Sequence, residues 1–552
     1  MASSISKVSH CRAGVGFDIM HGMEKVATDI YSFDNLRNNG YSYVDKTAIL
    51  KQLADDSRGR QFFTARPRRF GKSLAVSTLK HLFQGHRELF KGLAIEPLWD
   101  WSQKWPVLHI DMGSAQTETV PELHRRMREI LANQCRENGI PFRDDENPAT
   151  AFERTIIDLA ETASIQQQEG RPPQPGQVVI LIDEYDKPLL GKLCTPEVTA
   201  FKNALKAFYS VVKTLESKLR FTFITGVSKF SKVSIFSDLN NLKDYTLNPA
   251  VATLFGYTHD EVRRNFPGKL AELGKRLGTT ADGAFAEIVK WYDGYRFEEN
   301  AEPVINPVSL GCTFDEYKLD NWWSKTAMPT FLTDFFKVHP MDVSDLSITG
   351  EDLNAYEPEK LKPVTLLFQT GYLTIKGFEQ NGPIRRYALR FPNLEVEHSF
   401  LNNLTSVYTC TDTSYDANLV VTISKALHAR DPEGFVEAFR QFFNAIPYDL
   451  TDRQNEQTWQ AIMYAVLRMI GINVGGEVRT HKGRIDLTVE TAADAYIIEV
   501  KRDSTAKKAI EQIQEKSYTD RFRPSGKPIT LIGMAFSSKK RTISGVKIVR
   551  NA

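Results

Sequence analysis

Between residues 61 and 228 the chain alternates short apolar runs with longer amphipathic ones. "QFFTA" reads as a short buried strand and "KSLAVSTLKHLF" as the helix after it. "PVLHIDM" predicts a second strand, followed by the amphipathic helix "ELHRRMREILANQC". A Pro/Gln/Gly loop, "QQQEGRPPQPGQ", leads into "VVILIDEYD", the most apolar strand of this half. Helix "VTAFKNALKAFYSVVKTLES" and strand "LRFTFITGVS" follow. Strands separated by helices predict a parallel sheet with crossover helices. From about 255 to 395 the pattern turns mostly helical and rich in aromatics, as in "WYDGYRF" and "DNWWSKTAMPTFLTDFF". That predicts a second, helical unit packed on the first, with a short strand-rich piece in "GYLTIKGF" and "RRYALRF". Residues 416–445 read as connecting helices, and the remainder runs helix, hairpin, strand, helix, strand. The resulting division is a loose tail over 1–25, an α/β unit over 26–254, a helical or lid region over 255–395, a helical connector over 396–445 and a terminal α/β unit over 446–552.

A length of 552 residues is too great for one core and suits three or four units. Hydrophobic content of 41% and charged content of 25% fit a soluble globular protein. No apolar run is long enough to span a bilayer, and the first 20 residues lack the apolar stretch of a secretion signal. The five cysteines (Cys11, Cys135, Cys194, Cys312, Cys410) are scattered and odd in number, without zinc or disulfide spacing. A reducing, cytoplasmic setting with no membrane partner is the expectation. The net charge of +2 hides an asymmetry. Residues 475–552 hold 16 Lys and Arg against 9 Asp and Glu, a net of +7, which leaves the rest at −5. A basic terminal unit on an acidic body suits a polyanion, and equally a solvated surface.

The stretch "RPRRFGKS", residues 66–73, ends like a phosphate-binding loop of pattern G-x-x-x-x-G-K-[ST]. Arg66 stands where the first Gly belongs. Such loops work because backbone N–H groups and a helix N-terminus point at the anion. Gly71 permits the turn, Lys72 would reach the β- and γ-phosphates, and the Ser73 hydroxyl would ligand Mg²⁺. Pro67 sets φ near −65°. Arg66, Arg68 and Arg69 add positive charge around the phosphate position. "VVILIDEYDKPL" supplies Asp183 at the end of a buried strand, where a carboxylate needs a cation or a donor. Asp183 suits Mg²⁺, and Glu184 suits polarisation of the attacking water. A helix-capping acidic pair is the plainer alternative. In "FTFITGVSKFSK", Thr225, Ser228 and Lys229 could bring a polar group beside the γ-phosphate, or be ordinary strand-end residues.

Together these pieces resemble the AAA-ATPase-like proteins. The resemblance rests on "YVDKT", "RPRRFGKSL", "LIDEYDKPL" and "TGVSKFSKVSIFSDLNNL", with "WYDGYRF", "NPVSL", "PTFL" and "LLFQTGYLTIKGF" beyond them. It spans roughly residues 26–400. In that family the Arg-Pro-Arg-Arg-Phe-Gly-Lys-Ser loop is the ordinary form, so Arg66 is no defect. The resemblance implies a P-loop NTPase (AAA-like) parallel sheet with a helical second unit, ATP with Mg²⁺ as cofactor, and hydrolysis with Glu184 as base. AAA-type modules often form rings, which brings a homo-oligomer into view without fixing one. A trans-acting arginine is not identified, and Arg263, Arg264 and Arg296 are the candidates.

"GEVRTHKGRIDLTVETAADAYIIEVKR" carries a second constellation. Alternation along "AYIIEVK" puts Glu499 and Lys501 on one side of a strand. A neighbouring strand can bring Asp486 beside them. Two carboxylates make an oxygen-rich site suited to Mg²⁺ or Mn²⁺. Such a metal polarises a phosphodiester, and Lys501 can orient the attacking water or neutralise developing charge. Glu456, at the start of the helix "NEQTWQAIMYAVLRMIG", either completes the metal shell or is a first-turn acid favoured by the helix dipole. Gln512 and Tyr518 could face the nucleic acid or support Lys501, or be plain surface residues. The run "GRIDL…IIEVK" resembles the PD-(D/E)XK nuclease superfamily over about residues 446–540. That implies a restriction-endonuclease-like α/β fold and cleavage of DNA or RNA. The expectation is an ATPase joined to a metal-dependent nuclease. Its rivals are a nucleotide switch whose terminal unit binds nucleic acid without cutting it, and a signalling ATPase whose terminal unit docks a protein.

Overall fold

Four short apolar strands and one two-residue polar strand build the first sheet. They are β1 (Gln61–Ala65), β2 (Val107–Asp111), β3 (Val178–Asp183), β4 (Leu219–Gly226) and the two-residue β5 (Lys243–Asp244). All pair in parallel, in the order β2-β3-β4-β1-β5. β1 and β3 are buried along their whole length, as expected when helices cover both faces of a parallel sheet. The crossovers include α1 (Lys72–Gln84), α2 (Val120–Glu137), α3 (Pro148–Gln166) and α4 (Val198–Thr214). α2 starts at Thr119 with a capping box, in which Thr119 and Glu122 satisfy each other's backbone N–H groups. The computed structural model describes residues 25–55, 59–145, 147–166, 176–193, 195–229, 235–236, 241–323, 332, 346–354, 363–409, 413–445, 456–469, 473–480, 483–491, 493–540 and 542–550.

The helical region contains α5 (His259–Asn265), α6 (Pro267–Leu277), α7 (Ala281–Tyr292) and α8 (Pro307–Glu316). Their apolar faces form a separate small core around Phe266, Leu273, Ile288 and Phe314. A three-stranded antiparallel sheet follows: β6 (Ser347–Thr349), β7 (Thr374–Asn381) and β8 (Ile384–Arg390), in the order β6-β8-β7. Helices α9 (Gly350–Asn354) and α10 (Pro363–Thr370) lie between β6 and β7 in the chain. Three connecting helices come next, α11 (Leu394–Thr409), α12 (Thr413–His428) and α13 (Pro432–Ala445).

The terminal unit runs α14 (Glu456–Met469), β9 (Asn473–Thr480), β10 (Gly483–Glu490), β11 (Ala495–Arg502), α15 (Ala506–Glu515), β12 (Ile529–Ser537) and β13 (Thr542–Arg550). Its sheet is mixed, in the order β13-β12-β11-β10-β9, with β11 and β12 parallel and the other pairs antiparallel. One face packs Ile485, Ile497 and Leu531 against Ile510 and Ile513 of α15. The other face joins the main core. There Phe536 stacks on Trp459 of α14 at 4.4 Å and meets Phe443 of α13 edge-on at 4.8 Å. Apolar packing therefore runs without a break from the first sheet, through the connecting helices, into the last one. An ion pair between Glu397 of α11 and Arg468 of α14 lies at the same junction.

Candidate functional site

The first site forms where β1, β3, β4 and β2 end, at the N-terminus of α1. The loop that enters α1 bends through left-handed backbone at Arg69 (φ 67°) and Gly71 (φ 88°). Gly71 adopts that conformation without a steric penalty, and α1 begins at Lys72. Lys72 is 6% exposed, and its Nζ donates to the carbonyls of Arg66 (3.0 Å) and Pro67 (2.8 Å). Burial lowers the Lys72 pKa, against the pull of Asp183, Glu184 and Asp186. Asp183 is 3% exposed, and burial pushes its carboxyl up to about 6, opposed by a hydrogen bond from Ser73 and by the Lys72 charge. A lysine, a hydroxyl and a carboxylate thus share one low-dielectric spot.

Glu184 follows directly, with its N–H donated to Asp183 Oδ1 at 2.9 Å and its own backbone left-handed (φ 49°). That conformation is strained for a residue with a Cβ and turns the side chain out of the strand line. Its carboxylate lies beside Gly113. A Cβ at Gly113 would stand 3.1 Å from Glu184 Oε2 and 2.9 Å from Asp111 Oδ1. Asp111 ends β2 in register with Asp183 and brings a third carboxylate to this edge. Sequence reasoning passed Asp111 over, although an acid ending the strand "VLHID" was the available signal.

The remaining residues divide into those at the site and those engaged elsewhere. Thr225 is fully buried at the end of β4, and its Oγ1 has no hydrogen-bond partner among the described residues. Ser228 is engaged: its N–H donates to Asp186 Oδ2 at 2.7 Å, and its hydroxyl bonds the same carboxylate. Lys229 pairs with Asp244 at 2.8 Å. Arg66 lies elsewhere than its charge suggests. It is 1% exposed and donates to the carbonyls of Ala65 (2.8 Å), Thr246 (2.7 Å) and Val251 (3.2 Å). Its guanidinium lies 4.3 Å from the Phe297 ring, and burial lowers its pKa to about 9. Arg66 is therefore a tie beneath the loop, away from the position of an anion. Arg69 donates to the Trp322 carbonyl at 3.1 Å, and Arg68 stays exposed with its charge felt at Lys72.

A pocket of about 880 Å³, including its open mouth, adjoins Gly71. Val26, Tyr31, Tyr43, Phe70, Tyr257 and Phe266 are among its lining residues. Its apolar, aromatic walls and its size suit a small planar molecule. Of the arginines considered for action in trans, Arg263 rests on the Phe285 ring at 4.1 Å, and Arg264 is exposed on α5.

The second site lies on β10 and β11. Glu499 is fully buried. Its Oε1 accepts from Lys501 Nζ at 2.9 Å and from Gln512 of α15, while Oε2 has no partner among the described residues. Asp486 accepts the Val500 N–H at 2.8 Å, which holds it at the edge of β11. Burial and the neighbouring Asp486 charge drive the Glu499 pKa upward, against Lys501. The sequence-derived trio of Asp486, Glu499 and Lys501 is one cluster, and Gln512 joins it. Tyr518 is fully buried in the core under α15. Glu456 begins α14, but its side chain lies outside the described residues. Among the described residues no group of three His, Cys, Asp or Glu forms a ready metal cage. The open Oε2 beside a second carboxylate is nonetheless a donor set that fits a hard divalent cation. Cys135 and Cys312 are free thiols, and no described helix is long and apolar enough to cross a membrane.

Residues 27–236 match the family described as Predicted AAA-ATPase, and residues 454–545 match the PD-(D/E)XK nuclease superfamily. A relative from Azotobacter chroococcum mcd 1, named "Uncharacterized protein in vnfD 5'region", is 35% identical over 542 residues. The match covers 95% of this chain and 98% of that protein.

Proposed function

The chain belongs to the predicted AAA-ATPase family and carries a PD-(D/E)XK nuclease-superfamily domain at its C-terminal side, and on that premise we propose that it hydrolyses ATP and cuts nucleic acid. In this reading Lys72 leaves the Arg66 and Pro67 carbonyls for the β- and γ-phosphates. Ser73 and Asp183 would hold Mg²⁺, and Glu184, turned out by its left-handed backbone, takes a proton from the attacking water. The Thr225 hydroxyl, with no other partner among the described residues, donates toward the γ-phosphoryl group. The aromatic pocket beside Gly71 receives the base.

In the C-terminal domain Asp486 and Glu499 would hold Mg²⁺ or Mn²⁺, with Glu456 as the proposed third ligand. A metal held there would lower the pKa of a bound water and polarise the scissile phosphodiester. Lys501 orients that water, and Gln512 fixes the Glu499 carboxylate. Water adds at phosphorus, the P–O bond to the leaving strand breaks, and the leaving oxygen gains a proton. The observation that carries the nuclease reading is the buried Glu499, whose Oε2 points to no protein donor among the described residues while Asp486 stands beside it. A buried carboxylate with an unused oxygen is costly unless something cationic meets it. The unbroken core and the Glu397–Arg468 pair support a cutter governed by the nucleotide state.

The test is cleavage of labelled single- and double-stranded DNA and RNA with Mg²⁺ or Mn²⁺, with and without ATP. Parent protein runs beside Asp486→Ala and Lys72→Ala. Loss of cleavage in Asp486→Ala is expected, as is loss of the ATP effect in Lys72→Ala. Folded parent protein that cuts none of these substrates would leave the terminal unit a binding module.

A further inference from the structure

A second, smaller pocket opens on another side of the phosphate loop. Stretches far apart in sequence wall it, among them Pro67 of the loop, Lys229 beyond β4, Arg296 beyond α7, and Gln369 in α10. Phe297 and Phe368 give it apolar sides. Its space is about 450 Å³ with the open mouth included, enough for a small ligand.

Its polar lining includes donors without an acceptor. Gln369 is 7% exposed, and its Oε1 accepts the Lys229 N–H at 2.9 Å. That bond fixes which end of the amide is oxygen. The other end, Nε2, is buried with no partner among the described residues. The backbone of Arg296 is clamped: its N–H donates to Thr374 Oγ1 at 2.7 Å, and its carbonyl accepts from the same hydroxyl at 3.3 Å. Arg296 is half-buried, lines the pocket and makes no ion pair among the described residues. Lys229 and Asp244 neutralise each other at 2.8 Å. The charge left over is that of Arg296, and no acidic residue lines the pocket.

We propose that this pocket binds a small oxyanion of the size of orthophosphate, held by the Arg296 guanidinium and the Gln369 amide. An arginine fork matches paired anionic oxygens, and a buried amide donor lacking an acceptor gains one. The anion would rest against Pro67, whose carbonyl holds Lys72 Nζ. Occupancy would thereby be felt at the lysine on which nucleotide binding depends. The same chemistry has two sources, free phosphate and the terminal phosphoryl group of a nucleotide in the loop.

Equilibrium dialysis with radiolabelled orthophosphate tests the proposal. In Lys72→Ala protein, which lacks the loop's own anion site, one phosphate per chain is expected. Adding Arg296→Ala or Gln369→Leu should weaken that binding at least tenfold. Gln369→Glu, which keeps the side chain's shape and puts an anion in the pocket, should abolish it and guards against loss by misfolding. Parent protein loaded with a non-hydrolysable ATP analogue separates the sources: exclusion of phosphate identifies the nucleotide's own phosphoryl group, and retention identifies free phosphate. A Lys72→Ala protein that binds no phosphate, or binds it equally with Arg296 and Gln369 replaced, overturns the site. None of these outcomes depends on ATP hydrolysis or nuclease activity.

Discussion

Asp183 stores an energetic cost that its removal should release. Burial raises its pKa from the ordinary 3.8 to about 6. A folded-state pKa above the unfolded value means that the native protein holds the proton more tightly. The ionised carboxylate therefore penalises folding, increasingly from about pH 4 upward and fully above about pH 6. The rise corresponds to about 3 kcal/mol at pH 8. Asp183→Asn removes that penalty and weakens the bond from Ser73, a loss of about 1 kcal/mol. The net gain is about 2 kcal/mol, or roughly 4–8 °C in the melting transition of a domain this size. At pH 5 only about half of the penalty is present, so the net gain should shrink to about 0.6 kcal/mol, roughly a third of its value at pH 8. Scanning calorimetry of ligand-free parent and variant at pH 5 and pH 8 reads this directly. The same variant should lose its thermal protection by Mg²⁺ and ATP. An Asp183→Asn protein no more stable than parent at pH 8, or one whose advantage fails to shrink at pH 5, would refute the reasoning.

Three further outcomes follow from the same geometry. Gly113→Ala forces a methyl group against Asp111 Oδ1 and Glu184 Oε2; the turnover of ATP should fall about tenfold to a hundredfold with nucleotide affinity unchanged, as stopped-flow binding and phosphate release would show. Arg66→Met removes the donor from the Ala65 and Thr246 carbonyls beneath the loop, while the Val251 carbonyl keeps the Leu254 N–H, and should cost about 2 kcal/mol in urea unfolding, whereas a neutral result would mean those carbonyls need no donor. Glu499→Gln should abolish cleavage while raising the melting temperature at pH 8, because the buried Glu499 carboxyl resists ionisation; a variant that still cuts removes Glu499 from the metal site.

The elements best read from sequence are those whose pattern is local. The run "QFFTA" is β1 to the residue, and "VVILID" is β3, because a buried parallel strand needs only a short apolar run bounded by turn signals. The grouping of Asp486, Glu499 and Lys501 was likewise legible, since alternation fixes the face of β11. The two-residue β5 and the short β6 could not be read, as each exists only by pairing with strands distant in sequence. Arg66 was misjudged for a related reason. Charge suggests solvent or a ligand, and nothing in "RPRRFGKS" reveals three carbonyls waiting behind the first arginine. Asp111 stayed unseen because its importance comes from β2 lying next to β3, which is a matter of strand order.

The packing of Phe536 between Trp459 and Phe443 sets where the protein can be divided. A fragment cut at residue 446 would keep Trp459 but leave behind Phe443, and with it the apolar cover of one sheet face. A piece beginning at α11 would take its greasy lining along. Gene fusions that trade the C-terminal domain between relatives would on this account inherit the connecting helices as part of the cargo, and a graft made at the family boundary near residue 454 would yield an insoluble partner.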